Sequence, residues 1–227
     1  MRVAPRLLEQ VHPALAGRLV SGDALYCQKA LCQQVRAAGG DYLFAVKGNQ
    51  PSLLDDVTLL FTTPPPGERF LTAQTVDKHG GRLEERRLRA SATLAAYLQE
   101  AGWPDIGLVL EVEARVRWPG HPARPDRHEV RYFVTSLPAD TPPAEALRAV
   151  RRHWHIENRL HWPRDVTLGE DACQVRSGHA PQVLAALRNA VLGLLHGHGV
   201  PNCAAALRAH AWSPPTVLLS LLGLVPP

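Results

Sequence analysis

A chain of 227 residues can bury one large core or two small ones, and 45% hydrophobic content leaves no room for a long disordered tail. A net charge of +4 and a pI near 9.1 mildly favour a polyanionic partner, and only three of the 25 basic residues are lysines. No apolar run approaches the roughly 20 residues that a membrane span needs, and the opening "MRVAPRLLEQV" is no targeting sequence.

In chain order, "RLVSGDALYC" predicts a short buried strand (18–21) ending at Gly22 and Asp23. "ALYCQKALCQQVRAAGG" follows at helical spacing through Leu25, Leu31, Cys32 and Val35, with Gly39–Gly40 as its stop. "DYLFAVKGNQP" predicts a second buried strand closed by a turn at Gly48–Asn49. "SLLDDVTLLF" predicts an amphipathic helix with Ser52 as candidate N-cap. Strand, helix, strand in this space is a βαβ unit, so the two strands should be parallel and covered on both faces.

The pattern changes after the linker "TTPPPGERF". From about 69 to 136, "RLEERRLRAS", "IGLVLEVEARVRW" and "EVRYFVTSL" alternate between Gly- and Pro-rich turns, as antiparallel strands do. A proline boundary, "LPADTPPAEA", precedes helices expected near 143–162, 180–196 and 201–210. The apolar stretches "AVLGLLHGHGV" and "TVLLSLLGLV" read as core elements. Cys27, Cys32, Cys173 and Cys203 have no C-x-x-C spacing, which suits reduced, mostly buried thiols of a cytoplasmic protein. The expected fold class is α/β, with a β-rich insertion before the helix bearing Glu157 and a helical C-terminus. Its parts are residues 1–62, the insertion 63–140, and the return 141–227.

Two acidic residues could carry chemistry. Asp23 stands just past the carboxyl end of a predicted parallel strand, where open α/β sheets place their sites, although an Asp there also serves to cap the helix that follows. Glu157 lies in "HWHIENRLHW". On a continuous α-helix with His153 at 0°, Arg164 falls at about 20°, Glu157 at about 40° and His161 at about 80°. That stripe reads as a solvated Glu–His face, as a carboxylate for Mg²⁺, or as a zinc array of His153, Glu157 and His161, the last without the H-E-x-x-H spacing. Pairing Asp23 with Glu157 favours the second, because phosphoryl-transfer nucleases hold divalent ions with carboxylates from separate elements.

The ordered set "GRLVSGDALYCQ", "GGDYLFAVKGNQP", "DKHGGRLEERR", "RYFVTSLPAD", "HWHIENRLHW" and "DVTLGEDACQVRSGHAPQVLAALRNAVLGLL" resembles insertion-sequence transposases of the ISAs, or H-repeat-associated, type from about residue 7 onward. The resemblance implies a DDE transposase with a ribonuclease-H-like core. Such an enzyme uses Mg²⁺ (or Mn²⁺) to cut double-stranded DNA at element ends and join 3′-hydroxyls to a target, as a homo-oligomer in the bacterial cytoplasm and nucleoid. Asp23 matches the second catalytic Asp and Glu157 the catalytic Glu, both as metal ligands. In the wider superfamily that Glu has a Tyr seven residues before it, an Arg four before and a Lys seven after; those positions here hold Val150, His153 and Arg164. Lys47, Arg82, His153, Arg159 and Arg164 are the residues expected to meet DNA.

Two departures bear on activity. Pro163 stands inside the expected Glu157 helix, at a cost of about 3 kcal/mol in a helix interior, and is expected to kink or end it near Trp162. The family's first catalytic Asp has no match before Asp23, so the expectation is an N-terminally truncated and inactive copy, or a misplaced start. The alternative is a non-catalytic DNA-binding remnant that acts as a dominant-negative partner. Trp154 and Trp162 suit core positions better than base stacking, and Glu170 or Asp171 could cap the next segment or support the site.

Overall fold

"DYLFAV" alternates large side chains to both sides, and Asp41–Val46 is a strand with its last five residues buried. The computed structural model describes residues 3–11, 14–121, 123–154 and 156–214, with the side chains of Val3, Val11, His79, Glu157 and Asn158 outside that description. The chain divides into two compact units, residues 1–153 and 154–227.

In the first unit the elements run α1 (Val3–Val11), β1 (Leu19–Gly22), a 3-10 turn (Ala24–Tyr26), α2 (Lys29–Ala37), β2 (Asp41–Val46) and α3 (Pro51–Thr62). They continue with β3 (Leu71–His79), β4 (Arg82–Ser91), α4 (Ala95–Glu100), β5 (Leu108–Arg117), β6 (Arg127–Thr135) and α5 (Pro143–His153). The six strands form one sheet in the order β1-β2-β6-β5-β4-β3. β1 and β2 are parallel, with Gly22 beside Phe44, as the βαβ reading predicts. All other pairs are antiparallel, and β6 joins β2 directly, Phe44 opposite Val134, so β3–β6 extend the sheet that β1 and β2 begin.

Period-two alternation sorts β2 between two cores. Tyr42, Phe44 and Val46 face one core with Cys27, Leu31, Cys32 and Val35 of the α2 region and Leu53, Val57, Leu60 and Phe61 of α3. Leu43 and Ala45 face the other, with Leu88, Leu110, Phe133 and, from α5, Ala146, Leu147 and Val150. Val150, the last of these, is 3% exposed. Across the sheet, Arg89 donates to both Glu111 oxygens (2.7 and 2.9 Å) and to the Phe61 carbonyl (3.0 Å), tying α3 to β4 and β5.

Three expectations are corrected here. β1 is not a buried strand: it is an edge of the sheet, and of its four residues Gly22 alone is buried, with Leu19 37% exposed. Ser52 is not the cap of α3: Gln50 is, with Pro51 opening the helix, where a missing amide hydrogen costs nothing. The segment after Asp23 is not continuous helix either. Residues 24–26 make a 3-10 turn and α2 starts at Lys29, which leaves Leu25 61% exposed.

The second unit starts where the predicted 143–162 helix breaks. α5 ends at His153, after Arg151 and Arg152, cations that suit a helix C-terminus. Trp154 is a turn, and the backbone then winds as π-helix over Glu157–His161 and Pro163–Thr167. Pro163 is the first residue of the second π segment, and its carbonyl accepts from Leu168 N–H five residues on (2.8 Å). The helix therefore ends ten residues before the proline, about three turns of α-helix. α6 (Ala180–Gly197) and α7 (Cys203–His210) complete this unit around Leu192, Leu195 and Cys203. Trp162 is 62% exposed, against the expectation of a core residue. The stretch 216–225, "TVLLSLLGLV", lies outside the described residues. No described helix is long and apolar enough to cross a membrane.

Candidate active site

The carboxyl end of β1 is shaped by a tight return of the chain. A Cβ at Gly22 would lie 3.0 Å from Tyr26 Cβ and 3.1 Å from Phe44 Cε1, so glycine lets the 3-10 turn fold back closely over the strand without pushing either ring aside. Asp23 follows in extended conformation (φ −65°, ψ 170°), and its backbone carbonyl accepts from Tyr26 N–H at 2.8 Å. Its side chain makes no capping hydrogen bond, which removes the capping explanation for this aspartate. The carboxylate is 56% exposed.

The loop after β2 is stitched to the same place. Asn49 Nδ2 donates to the Ala24 carbonyl at 2.7 Å, and Gln50 Nε2 donates to the Cys27 carbonyl at 2.9 Å. Asn49 adds a second donor to the Ala24 carbonyl, which already accepts from Cys27 N–H at 3.0 Å, and Gln50 binds the carbonyl of Cys27 just after the turn. Lys47 stands exposed at the start of this loop, immediately after β2.

His153 reaches the Asp23 end of the sheet from the end of α5. Its Nε2 lies 3.4 Å from Asp23 Oδ1, its Nδ1 lies 3.2 Å from Ser21 Oγ, and its side chain is 11% exposed. The first unit thus brings Asp23 and His153 together and fastens the Lys47 loop to the turn beside Asp23. Arg82 opens β4 after the left-handed pair Gly80 and Gly81 (φ 56° and 73°), and its guanidinium is paired with Glu84 at 3.0 Å.

In the second unit, Glu157 and Arg159 lie on the first π segment, with Arg159 exposed; the Glu157 side chain lies outside the described residues. A π-helix repeats on i→i+5 bonds, so the 100° steps that set Arg164 beside Glu157 do not apply. Arg164 instead donates to both oxygens of Glu170, from Nε at 2.9 Å and from Nη2 at 2.5 Å. That fork holds the Glu170 carboxyl below the ordinary carboxylate range. His161 is exposed. Among the described residues no group of three or more His, Cys, Asp and Glu side chains is placed to hold a metal ion.

Sequence reasoning missed Ser21, whose signal was its position two residues before Asp23 on a strand, hence on the same side. It also missed Asn49 and Gln50 as stitches, for which the side-chain chemistry alone gives no clue.

A profile of the transposase DDE domain family matches residues 1–194. The chain is 32% identical over 198 residues to the protein YbfL of Escherichia coli (strain K12), covering 84% of this chain and 50% of that protein. It is 30% identical over 194 residues to the H repeat-associated protein YhhI of the same strain, again covering 84% of this chain and 50% of the relative. A protein in the dhlA 3′ region of Xanthobacter autotrophicus is 38% identical over 126 residues, 56% of this chain and 41% of that one. The chain spans about half the length of the curated relatives it matches. With the family profile over most of its length, the chain belongs to the transposase DDE domain family, among insertion-sequence, H repeat-associated proteins.

Proposed function

We propose that this chain carries part of the strand-transfer site of a ribonuclease-H-like DNA transposase, with Asp23 and Glu157 as two of its metal carboxylates. The observation that supports it most is the Asp23 carboxylate. It stands at the carboxyl end of a parallel strand, makes no capping bond and is open to solvent. Such an oxygen donor suits a hard cation, Mg²⁺ or Mn²⁺, better than zinc. When bound, the ion supplies activation of the attacking oxygen and stabilisation of the leaving one. Asp23 and Glu157 would hold it; His153 would set the Asp23 carboxylate, and exposed Lys47 and Arg159 would meet DNA phosphates. The partners are element-end and target double-stranded DNA, engaged by a homo-oligomer in the bacterial cytoplasm and nucleoid.

On this reading Asp23 and Glu157 are this chain's contribution to the metal site, and any strand cleavage depends on both. The test is the purified chain with duplex DNA bearing the ends of its own element, in Mg²⁺, read by gel retardation and by release of 3′-hydroxyl ends. Salt-sensitive binding is expected, with any cleavage abolished by Asp23→Asn and by Glu157→Gln; cleavage that survives both substitutions would overturn the metal-site reading. Absence of both binding and cleavage would overturn the proposal.

A further inference from the structure

Asp23 has little of its own to hold it in place. Its carboxylate is exposed, and the N–H groups of the turn that follows do not bind it. Its rotamer must therefore be set from elsewhere, and the described contact that can do so comes from α5, 130 residues away in sequence. Ala146, Leu147 and Val150 seat α5 in the core, and His153 follows Val150 by three residues, on the same side of the helix. The ring then meets Ser21 through Nδ1 and Asp23 through Nε2. Ser21 and Asp23 are two residues apart at the end of an extended strand, which puts both on the side the ring occupies. The imidazole is 11% exposed and the carboxylate 56%, so the contact is enclosed at the histidine and open at the acid.

We infer that Ser21 and His153 are positioning residues for Asp23: Ser21 orients the ring, and the ring fixes Asp23 through Oδ1, leaving Oδ2 for a divalent cation. This rests on the reading of Asp23 as a metal ligand. The carboxylate can only accept, so Nε2 carries the proton given to Asp23, and Nδ1 accepts from the Ser21 hydroxyl, which can serve either way. Carboxylates that bind metals are themselves oriented by hydrogen bonds, and removing such a partner typically costs about 10–100-fold in metal affinity.

The experiment uses the full chain, labelled with ¹⁵N and titrated with Mn²⁺, following paramagnetic broadening of the Gly22, Asp23 and Ala24 amides. His153→Ala is expected to raise the Mn²⁺ midpoint by about 10-fold or more, and Ser21→Ala to raise it by a smaller factor. Ser21→Ala is expected to add nothing in the His153→Ala background, because the hydroxyl acts through the ring. His153→Gln, whose amide can donate from near the Nε2 position, should recover most of the affinity; a role confined to packing would not be rescued in this way. Ser21→Ala removes one exposed hydroxyl, so it tests the relay even where truncating His153 disturbs α5. Unchanged midpoints in Ser21→Ala and His153→Ala would overturn the inference while leaving Asp23 a ligand. An unchanged midpoint in Asp23→Asn would overturn the ligand reading itself.

Discussion

Arg89 and Glu111 offer the sharpest test of how the sheet that carries the site is held together. They face each other across β4 and β5, and Arg89 clasps both Glu111 oxygens at 2.7 and 2.9 Å. The same guanidinium donates to the Phe61 carbonyl and lies 5.2 and 4.9 Å from the Phe61 and Phe70 ring centres. The side chains are 29% and 11% exposed, so the pair lies between two limits. Exposed pairs contribute about 0–1 kcal/mol, whereas breaking a fully buried pair from one side costs about 3–5 kcal/mol. Arg89→Met keeps an apolar stem over the rings and leaves the largely buried Glu111 without its cation, so we expect a loss of about 2–3 kcal/mol. For a unit of this size that lowers Tm by roughly 4–12 °C. The double variant Arg89→Met/Glu111→Leu removes the stranded charge and should recover most of the loss. Thermal and urea unfolding of the four proteins of this cycle measures the coupling directly. An Arg89→Met protein within about 0.5 kcal/mol of wild type, or a double variant no better than the single one, would refute the reasoning.

Two further predictions concern titrating groups. Burial pushes the Cys27 and Cys32 thiols up to about 12, while the Val175 N–H and Arg188 pull the half-buried Cys173 down. At pH 8 the first two hold about a thousandfold less thiolate than an ordinary cysteine. Ellman's reagent should therefore modify Cys173 first and reach Cys27 and Cys32 only on unfolding; fast native reaction of all four thiols would contradict the packing. Because Arg164 depresses the folded-state pKa of Glu170, their pair adds stability above the ordinary carboxylate pKa and loses it as pH falls through the depressed value. Glu170→Gln should melt earlier than wild type at neutral pH, with the gap closing in acid; a gap that widens in acid would reverse the sign.

The parts of the fold legible in the sequence are those fixed by local period and punctuation. Alternating large residues in "DYLFAV" between a glycine pair and "KGNQP" specify β2, which stands where expected; the apolar run before Gly22–Asp23 specifies β1, one residue later than expected and at an edge that leaves it largely unburied. Their parallel pairing follows because an intervening helix carries the chain back. What was not legible depends on contacts distant in sequence. The 3-10 turn after Asp23 is held by Asn49 and Gln50, and the helical spacing of Leu25 could not reveal those partners. Likewise, the His153–Glu157–Arg164 stripe rests on one helical repeat across a stretch where the structure changes repeat. Arg164 then takes Glu170, a residue whose sequence position only left capping and support open.

The pairing of the basic residues also governs how DNA binding should respond to salt. Five positions were expected to meet DNA: Lys47, Arg82, His153, Arg159 and Arg164. Arg82 and Arg164 are each held by a glutamate, and His153 lies against Asp23. An arginine that leaves a carboxylate for a phosphate exchanges one anion for another, which weakens its contribution to binding. Lys47 and Arg159 are exposed and make no ion pair among the described residues. Each phosphate neutralised by a cation contributes about −0.9 to the slope of log K against log salt on duplex DNA. Lys47→Ala and Arg159→Ala should each flatten that slope by about one, and Arg82→Ala by clearly less. Equal losses from Arg82→Ala and Lys47→Ala would show that the Glu84 pair does not restrain Arg82 and that the hairpin carries DNA as strongly as the strand end.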